Sequence, residues 1–161
     1  MVADIDSMFY QVKVPEEDSD LLRFLWWPDG DLSLEPADHR MCVHLFGATS
    51  SPSCASYALR KTAEDGKQWA APETVKTVLN NFYFDDCLSA VSSDERAVAL
   101  AKDLRSLCLS GRFHLSKWTS NSRALLTSIP EEDRASGIKN LDLDNDQLPT
   151  ERALSVQWCT N

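Results

Sequence analysis

The sequence predicts a domain of the α+β class, in which helices lie on one face of an antiparallel sheet. Two observations indicate this class. Short β-favouring runs alternate with longer segments of helical periodicity, and turn signals separate them. The resulting order is strand, hairpin, helix, hairpin, helix, strand. At 161 residues the chain is one domain or part of one, and it is long enough to bury a core.

A hairpin is predicted in the first third of the chain. The first strand carries Asp4, and residues 11–14 extend away from it. The apolar run at residues 21–27 then meets Pro28-Asp29-Gly30, which is a strong turn signal. We expect its partner strand at residues 40–45, so that the hairpin is inserted between the acidic strand and the rest of the chain.

Two helices are predicted in the middle of the chain. Ser51 and Pro52 are typical of a helix start, and this helix should run to about residue 64, before Gly66. Residues 72–79 form a second, shorter helical segment. The Asp-Asp run follows this segment.

A longer helix follows the Asp-Asp run. The segment Ser92-Ser93-Asp94-Glu95 fits a capping box, and apolar residues then recur at three- and four-residue steps until Gly111. A short β-like segment at His114-Leu115 comes next. Residues 127–152 are polar and acidic, and this composition predicts mainly loop.

The acidic run Tyr83-Phe84-Asp85-Asp86 places two adjacent carboxylates at the tip of a predicted hairpin. Adjacent aspartates are common in turns for purely structural reasons. Here, however, they end a β-favouring run, and Asp4 lies in another apolar strand, where an unpaired acid would be costly. If the three acids share one site, each like-charge pair costs about 4 kcal/mol at 4 Å and an effective dielectric of 20. We therefore expect them to surround cations.

Carboxylate oxygens select hard divalent ions, above all Mg²⁺, which takes substrate phosphates as further ligands. Two such ions can clamp the attacking and leaving oxygens of an in-line displacement. The three acids therefore indicate a nucleotidyl transferase.

Composition limits the other function classes. No apolar run reaches the roughly 18 residues that a membrane span needs. Five cysteines without a CxxC pair favour reduced thiols in an intracellular setting. The net charge of −9 argues against a simple electrostatic grip on a phosphate backbone. A calcium loop beginning at Asp142 is disfavoured, because Gln147 and Ala153 stand where glycine and glutamate are required, and a solvated acidic connector is the better interpretation.

Several segments, in order along nearly the whole chain, resemble the palm of a reverse transcriptase, most closely the BEL/Pao-type long-terminal-repeat retrotransposon enzymes. They are ADIDSMFYQV for the first palm motif, LRFLWWPDG and HRMCVHLFGATSSPSCASYAL for the finger insertion and second motif, NNFYFDDCLSA for the third, FHLSKWTSN for the fourth, and LSVQW for the approach to the primer grip. The resemblance implies a polymerase palm with a partial fingers hairpin at about residues 13–45 and the start of the primer-grip and thumb region at about residues 150–161.

The resemblance also implies catalytic residues. Asp4, Asp85 and Asp86 would hold two Mg²⁺ ions, or Mn²⁺ in their place, with help from the backbone carbonyl of Ile5. Lys117 would be a candidate proton donor to pyrophosphate. The plain alternative for Lys117 is a solvated charge at the end of a strand.

Substrate-binding residues follow from the same resemblance. Phe9 falls where a bulky aromatic ring packs under the incoming sugar and repels a 2′-hydroxyl. Its alternative role is ordinary core packing. Phe46 and Gly47 open the segment that stacks over the nucleotide, although a plain strand-to-helix turn would also use Gly47.

Three further aromatic residues are assigned to substrate binding, namely Tyr10, Tyr83 and Phe84. Phe84 is bulkier than the residue usually found between the tyrosine and the acids, and we expect it to crowd the primer terminus.

The implied function is RNA-directed DNA polymerase activity, with an RNA template, a DNA primer and deoxynucleoside triphosphates as partners, in an intracellular retrotransposon particle that we expect in the cytoplasm. Most of the fingers and thumb and the RNase H domain are expected to be missing from this chain. An inactive or domesticated retrotransposon fragment, acting only as a nucleic-acid- or protein-binding module, is the alternative. A calcium-binding acidic domain is a second, weaker alternative.

Overall fold

The structure is a computed structural model that describes residues 1–139, 141–143, 146, 151–153 and 156–158. The described residues form four α-helices and three antiparallel sheets, one of four strands and two of two strands. This arrangement confirms the predicted α+β class. The chain divides into two compact units, one of residues Ser7–Ala55 and one of residues Met1–Asp6 with Ser56–Asn161.

The helices and strands have the following bounds. The strands are β1 (Val2–Ile5), β2 (Arg23–Trp26), β3 (Ala37–Arg40), β4 (Phe82–Tyr83), β5 (Asp86–Leu88), β6 (Leu115–Thr119), β7 (Glu151–Ala153) and β8 (Val156–Trp158). The helices are α1 (Ser51–Asp65), α2 (Pro72–Asn80), α3 (Asp94–Ser110) and α4 (Arg123–Ser128).

The predicted helix boundaries are confirmed to within a residue or two, because local capping signals set them. Helix α2 begins at Pro72, whose fixed φ suits a first helical turn. The Oγ of Ser93 accepts a hydrogen bond from the backbone N–H of Arg96 and so caps α3. Gly111 follows the last residue of α3, as predicted.

The four-stranded sheet belongs to the larger unit and has the strand order β4-β5-β1-β6, with every pair antiparallel. Ala3 and Ile5 of β1 are buried, whereas Asp4 between them is partly exposed. Successive side chains of a strand point to opposite faces, so Asp4 lies on the face opposite Ala3 and Ile5. One face of β1 is therefore core and the other carries the acid.

The core of this unit is aliphatic with two large aromatic side chains. Trp118 of β6 and Phe113 just before β6 are almost fully buried. Helix α3 contributes a continuous apolar stripe at helical spacing, namely Ala97, Leu100, Ala101, Leu104, Leu107 and Cys108. These residues fix α3 as a core helix of the unit.

In the unit Ser7–Ala55, β2 and β3 form the predicted hairpin, but the position predicted for the second strand is wrong. The register pairs Arg23 with Arg40 and Trp26 with Ala37, so β3 ends where the partner strand was expected to begin. Side-chain pairs across the hairpin suit this register, because the ring of Phe24 stacks on His39 at 5.6 Å.

The apolar segment that suggested the later strand pairs elsewhere. The backbone N–H of Val14 donates to the carbonyl of Cys42, and the N–H of His44 donates to the carbonyl of Val12, each at 3.0 Å. Residues 42–44 therefore lie against residues 12–14. All four side chains of β2 are exposed, including Phe24, Leu25 and Trp26.

The prediction of mainly loop at residues 127–152 is only partly right. Helix α4 reaches Ser128 and is capped by Ser122, whose Oγ accepts from the N–H of Leu125 at 3.2 Å. The pair β7-β8 begins at Glu151 and falls within the segment assigned to the primer grip and thumb. Of that segment, residues 150, 154–155 and 159–161 lie outside the described residues, as do residues 144–145 and 147–150 of the rejected calcium loop. No helix among the described residues is both long and apolar enough to cross a membrane.

Candidate active site at the acidic hairpin

The strands β4 and β5 form the predicted tight hairpin around the acids. Tyr83 pairs with Asp86, which leaves Phe84 and Asp85 as the two residues of the turn. Phe84 has φ 53° and so lies in the left-handed region. A bulky side chain is rare in that region, and such backbone strain concentrates at functional sites.

The register of the sheet brings Asp4 and Asp86 together. Asp4 of β1 lies directly opposite Asp86 of β5. Directly opposed residues of an antiparallel pair have their side chains on the same face, with Cβ atoms about 5 Å apart. The backbone N–H of Ile5 donates to the carbonyl of Asp85 at 2.9 Å and fixes the turn against the end of β1. All three predicted acids and Ile5 are therefore positioned by one backbone ladder.

The environment disfavours the charged form of both facing acids. Burial raises the pKa of Asp4 above the usual aspartate range, and the nearby charges of Asp85 and Asp6 act in the same direction. Burial also raises the pKa of Asp86, as do the charges of Asp85 and Asp4. The pair thus holds excess negative charge that a cation would relieve.

Lys117 supplies one positive charge to this cluster. Its Nζ lies 3.0 Å from Oδ1 of Asp4, and this hydrogen bond raises the pKa of Lys117. The same bond lowers the pKa of Asp4, but burial of that carboxyl has the larger, opposite effect. Sequence analysis predicted both residues for the site without predicting their direct contact.

A β-bulge in β6 accompanies that contact. Val2 pairs with Thr119 and Asp4 pairs with Ser116. Between these two pairs β6 therefore contains one residue more than β1. The extra length contains Lys117, whose φ of 51° is left-handed. The sequence of this segment does not predict the left-handed bulge, because it lacks glycine, the residue that usually occupies such a position.

The donor set fits a hard divalent cation. Asp4 and Asp86 offer carboxylate oxygens from one face, and Mg²⁺ typically takes one or two carboxylates from protein and its other ligands from water and phosphates. Over the described part of the chain, no three His, Cys, Asp or Glu side chains converge as a ready-made metal cage. The fit to a divalent cation therefore depends on the two facing carboxylates of Asp4 and Asp86, and Asp85 lies at the adjacent turn.

Two aromatic side chains flank the acids. Tyr83 and Phe84 have ring centroids 4.8 Å apart in an edge-to-face arrangement, and both rings are exposed. Exposed aromatic rings beside a charged cluster suit contact with a nucleobase. The structure places both rings beside the acids, and their contact with substrate stays a prediction.

The other predicted substrate-binding residues belong to the unit Ser7–Ala55. Phe9 lies in a 3-10 turn, is partly buried, and has its ring centroid 6.0 Å from that of Phe46. Tyr10 and Phe46 are exposed, and Gly47 has φ 90°, a value that glycine adopts without strain. In this turn the fully buried side chain is Met8, which leaves Phe9 only partly in the core.

Sequence analysis missed a polar cluster that supports β6. Asp133 is buried and accepts a hydrogen bond from Arg105 of α3 at 2.8 Å, and its Oδ1 lies 3.0 Å from Nε2 of His114. The backbone carbonyl of His114 accepts from the N–H of Asp6 at 2.9 Å. The cluster thus anchors the backbone beside β1. Asp133 lies in the acidic stretch predicted to be loop. The polar composition of this stretch does not indicate that one of its acids is buried.

Compared with models of known protein families and with curated proteins, the chain matches none.

Proposed function

We propose that the chain is the palm portion of an RNA-directed DNA polymerase of the reverse transcriptase type, which adds deoxynucleotides to a primer 3′-hydroxyl. The observation that carries the proposal is Asp4 facing Asp86 beside the Asp85 turn. That arrangement places the acids of two separate motifs in one cluster, as a palm requires. The class of polymerase is proposed from the ordered motifs that resemble BEL/Pao-type enzymes.

The acids would hold the metal ions. Asp4 and Asp86, with Asp85 and the carbonyl of Ile5, are the residues that would bind two Mg²⁺ ions, or Mn²⁺ in their place. When bound, such ions lower the pKa of the attacking hydroxyl and neutralise charge on the leaving pyrophosphate. The protein's contribution is to keep the carboxylates fixed by the β1-β5 ladder before substrate arrives.

Other residues would position the substrate. Lys117 would offset triphosphate charge and donate a proton to pyrophosphate. The exposed rings of Tyr83 and Phe84 would contact the primer terminus. Phe9 would lie beneath the sugar, with Phe46 and Gly47 beside the nucleotide.

The proposed partners are an RNA template, a DNA primer and deoxynucleoside triphosphates. With a net charge of −9, the chain depends on other parts of a polymerase for its electrostatic grip on nucleic acid. We propose that fingers, thumb and RNase H portions supply it, with residues 13–45 as part of the fingers and residues 150–161 as the start of the thumb. An intracellular retrotransposon particle, in the cytoplasm, is the proposed setting.

A second candidate function is a binding module without turnover, derived from such an enzyme. The ion pair between Lys117 and Asp4 favours it, because this pair already neutralises one of the acids without any metal.

Primer extension separates the two candidates. The 161 residues are grafted into a complete related polymerase, and extension of a primed RNA template is measured with Mg²⁺. We expect activity in the chimera and background activity in its Asp85→Asn variant. Asp103→Asn, an exposed change on α3, is the matched control and should leave extension unchanged. A chimera that folds but is inactive would support the binding module. A chimera that stays active with Asp85→Asn would mean that the acids have a structural role only.

The isolated chain is expected to extend primers poorly or not at all. Catalysis needs the triphosphate held in line with the primer, and the gripping elements lie in other parts of a polymerase. Strong Mg²⁺-dependent extension by the isolated chain would contradict this positional argument.

A further inference from the structure

Lys117 adopts an unusual backbone conformation that accompanies its contact with Asp4. It has φ 51° inside a β-strand, at the one place where β6 carries an extra residue against β1. A left-handed lysine is strained relative to glycine, and such strain persists only where surrounding interactions maintain it. The interaction observed here is the 3.0 Å bond from Nζ to Oδ1 of Asp4.

The partners of this bond have unequal environments. The side chain of Lys117 is 65% exposed, whereas that of Asp4 is only 19% exposed. Lys117 therefore reaches from solvent to a carboxylate that burial has partly desolvated. An ammonium group and a divalent ion both require the oxygen lone pairs of this carboxylate, and their like charges repel at contact distance.

We propose that Lys117 is the internal counter-cation of the acid pair, and that a divalent ion must displace it from Asp4 in order to bind. This inference rests on the proposed function and concerns the regulation of the same site. Before displacement, Lys117 stabilises the otherwise repulsive pair of Asp4 and Asp86. After displacement, a triphosphate offers the freed ammonium a new anionic partner. The site thus disfavours a bare ion and favours an ion that arrives with a nucleotide.

Binding of Mn²⁺ to the full 161-residue chain tests the competition without any catalytic readout. Electron paramagnetic resonance at pH 7 gives the Kd of Mn²⁺ for the wild type and for Lys117→Gln. The matched control is Lys61→Gln, which removes the same charge from an ion pair with Asp65 on α1. We expect Lys117→Gln to bind Mn²⁺ about three- to tenfold more tightly than Lys61→Gln, as the loss of one screened charge beside a mostly buried carboxylate implies.

A second variant controls for misfolding of Lys117→Gln. Lys117→Gly suits the left-handed φ and also removes the ammonium, so it should bind Mn²⁺ as tightly as Lys117→Gln. Acetylation of amines by acetic anhydride, read by mass spectrometry, gives an independent measure. Saturating Mn²⁺ should increase the labelling of Lys117 and leave that of Lys61 unchanged.

The outcomes distinguish the two proposals. Equal Mn²⁺ affinity of the Lys117 and Lys61 variants, or unchanged labelling of Lys117, overturns the competition and leaves the cation site intact. Absence of Mn²⁺ binding in the wild type and all variants overturns the competition together with the proposed metal-dependent function. Tighter binding by both Lys117 variants supports the competition even if the chimera proves inactive.

Discussion

Asp4 lies directly opposite Asp86 on adjacent antiparallel strands, so that two carboxylates with raised pKa values share one face of the sheet. Like charges in this position destabilise a sheet. A nearby cation offsets this repulsion, and in this structure Lys117 supplies one positive charge at Asp4. Five predictions follow the consequences of this geometry and of the packing around it.

Removing one of the facing charges should stabilise the metal-free protein. We expect Asp86→Asn to raise the free energy of unfolding at pH 7 by about 0.5 kcal/mol, the scale of a solvent-screened charge pair. Urea denaturation in a chelating buffer measures this free energy of unfolding. Asp103→Asn on the exposed face of α3 is the control. Added Mg²⁺ should then stabilise the wild type and not Asp86→Asn. A lower stability of Asp86→Asn in the chelating buffer would mean that the two acids attract through a shared proton.

Phe9 should govern sugar selection in the active chimera. Phe9→Val should raise ribonucleotide incorporation relative to deoxyribonucleotide incorporation, because in the proposed role only a 2′-hydroxyl would meet the ring. The ratio of the two incorporation efficiencies is measured beside the melting temperature. The ring also contacts Phe46, so a stability loss of about 1 kcal/mol is expected as well. An unchanged ratio with a lower melting temperature would make Phe9 a packing residue only.

The turn at Phe84 should prefer glycine to a β-branched residue. Its φ of 53° suits glycine, so Phe84→Gly should be more stable than Phe84→Val by about 1 to 2 kcal/mol. Both changes remove the ring and its contact with Tyr83, so their comparison isolates the backbone. Chemical denaturation gives the two values. Equal stability would show that the turn is not left-handed in solution.

A side chain at Gly111 should clash with helix α1. A Cβ there would lie 2.1 Å from Oγ1 of Thr62, although the φ of Gly111 suits alanine. We expect Gly111→Ala to cost about 1 to 3 kcal/mol through overpacking. The double variant with Thr62→Ala should recover part of the loss, measured against Thr62→Ala alone, because Cβ of residue 62 remains 2.9 Å away. No recovery would place the strain elsewhere.

Two buried thiols should make the protein sensitive to alkali. Burial raises the pKa of Cys87 and of Cys108 to about 12. The unfolded thiols lose their protons above a pH of about 8.5, while the folded thiols keep theirs, so stability falls as pH rises from there towards 12. Each thiol contributes a slope of about 1.4 kcal/mol per pH unit.

Denaturation between pH 8 and pH 10.5 measures this slope. The stability of Cys108→Ala should fall less steeply with pH than that of the wild type, by the slope that one thiol contributes. Cys42→Ala is the control, since that cysteine is exposed and not buried. Parallel curves for the wild type and Cys108→Ala would contradict the burial of Cys108.

The sequence by itself determined the elements whose signals are local. The capping serines before α3, the proline at the start of α2 and the aromatic run before Asp85 act on backbone within a few residues, and the structure has these elements where they were predicted. Local composition also indicated that the acids end one strand and lie within another. These signals are short in range, because caps, helical periodicity and turn residues stabilise neighbouring peptide groups.

Only the tertiary structure decided which residues meet. The facing of Asp4 and Asp86, the left-handed bulge that carries Lys117, the early position of β3 and the buried Asp133 each depend on partners far along the chain. Register is a property of two strands together, and one residue of slip moves a whole side-chain set to the other face. The pattern within a single segment therefore cannot fix it, and the geometry of this site had to come from the assembled sheet.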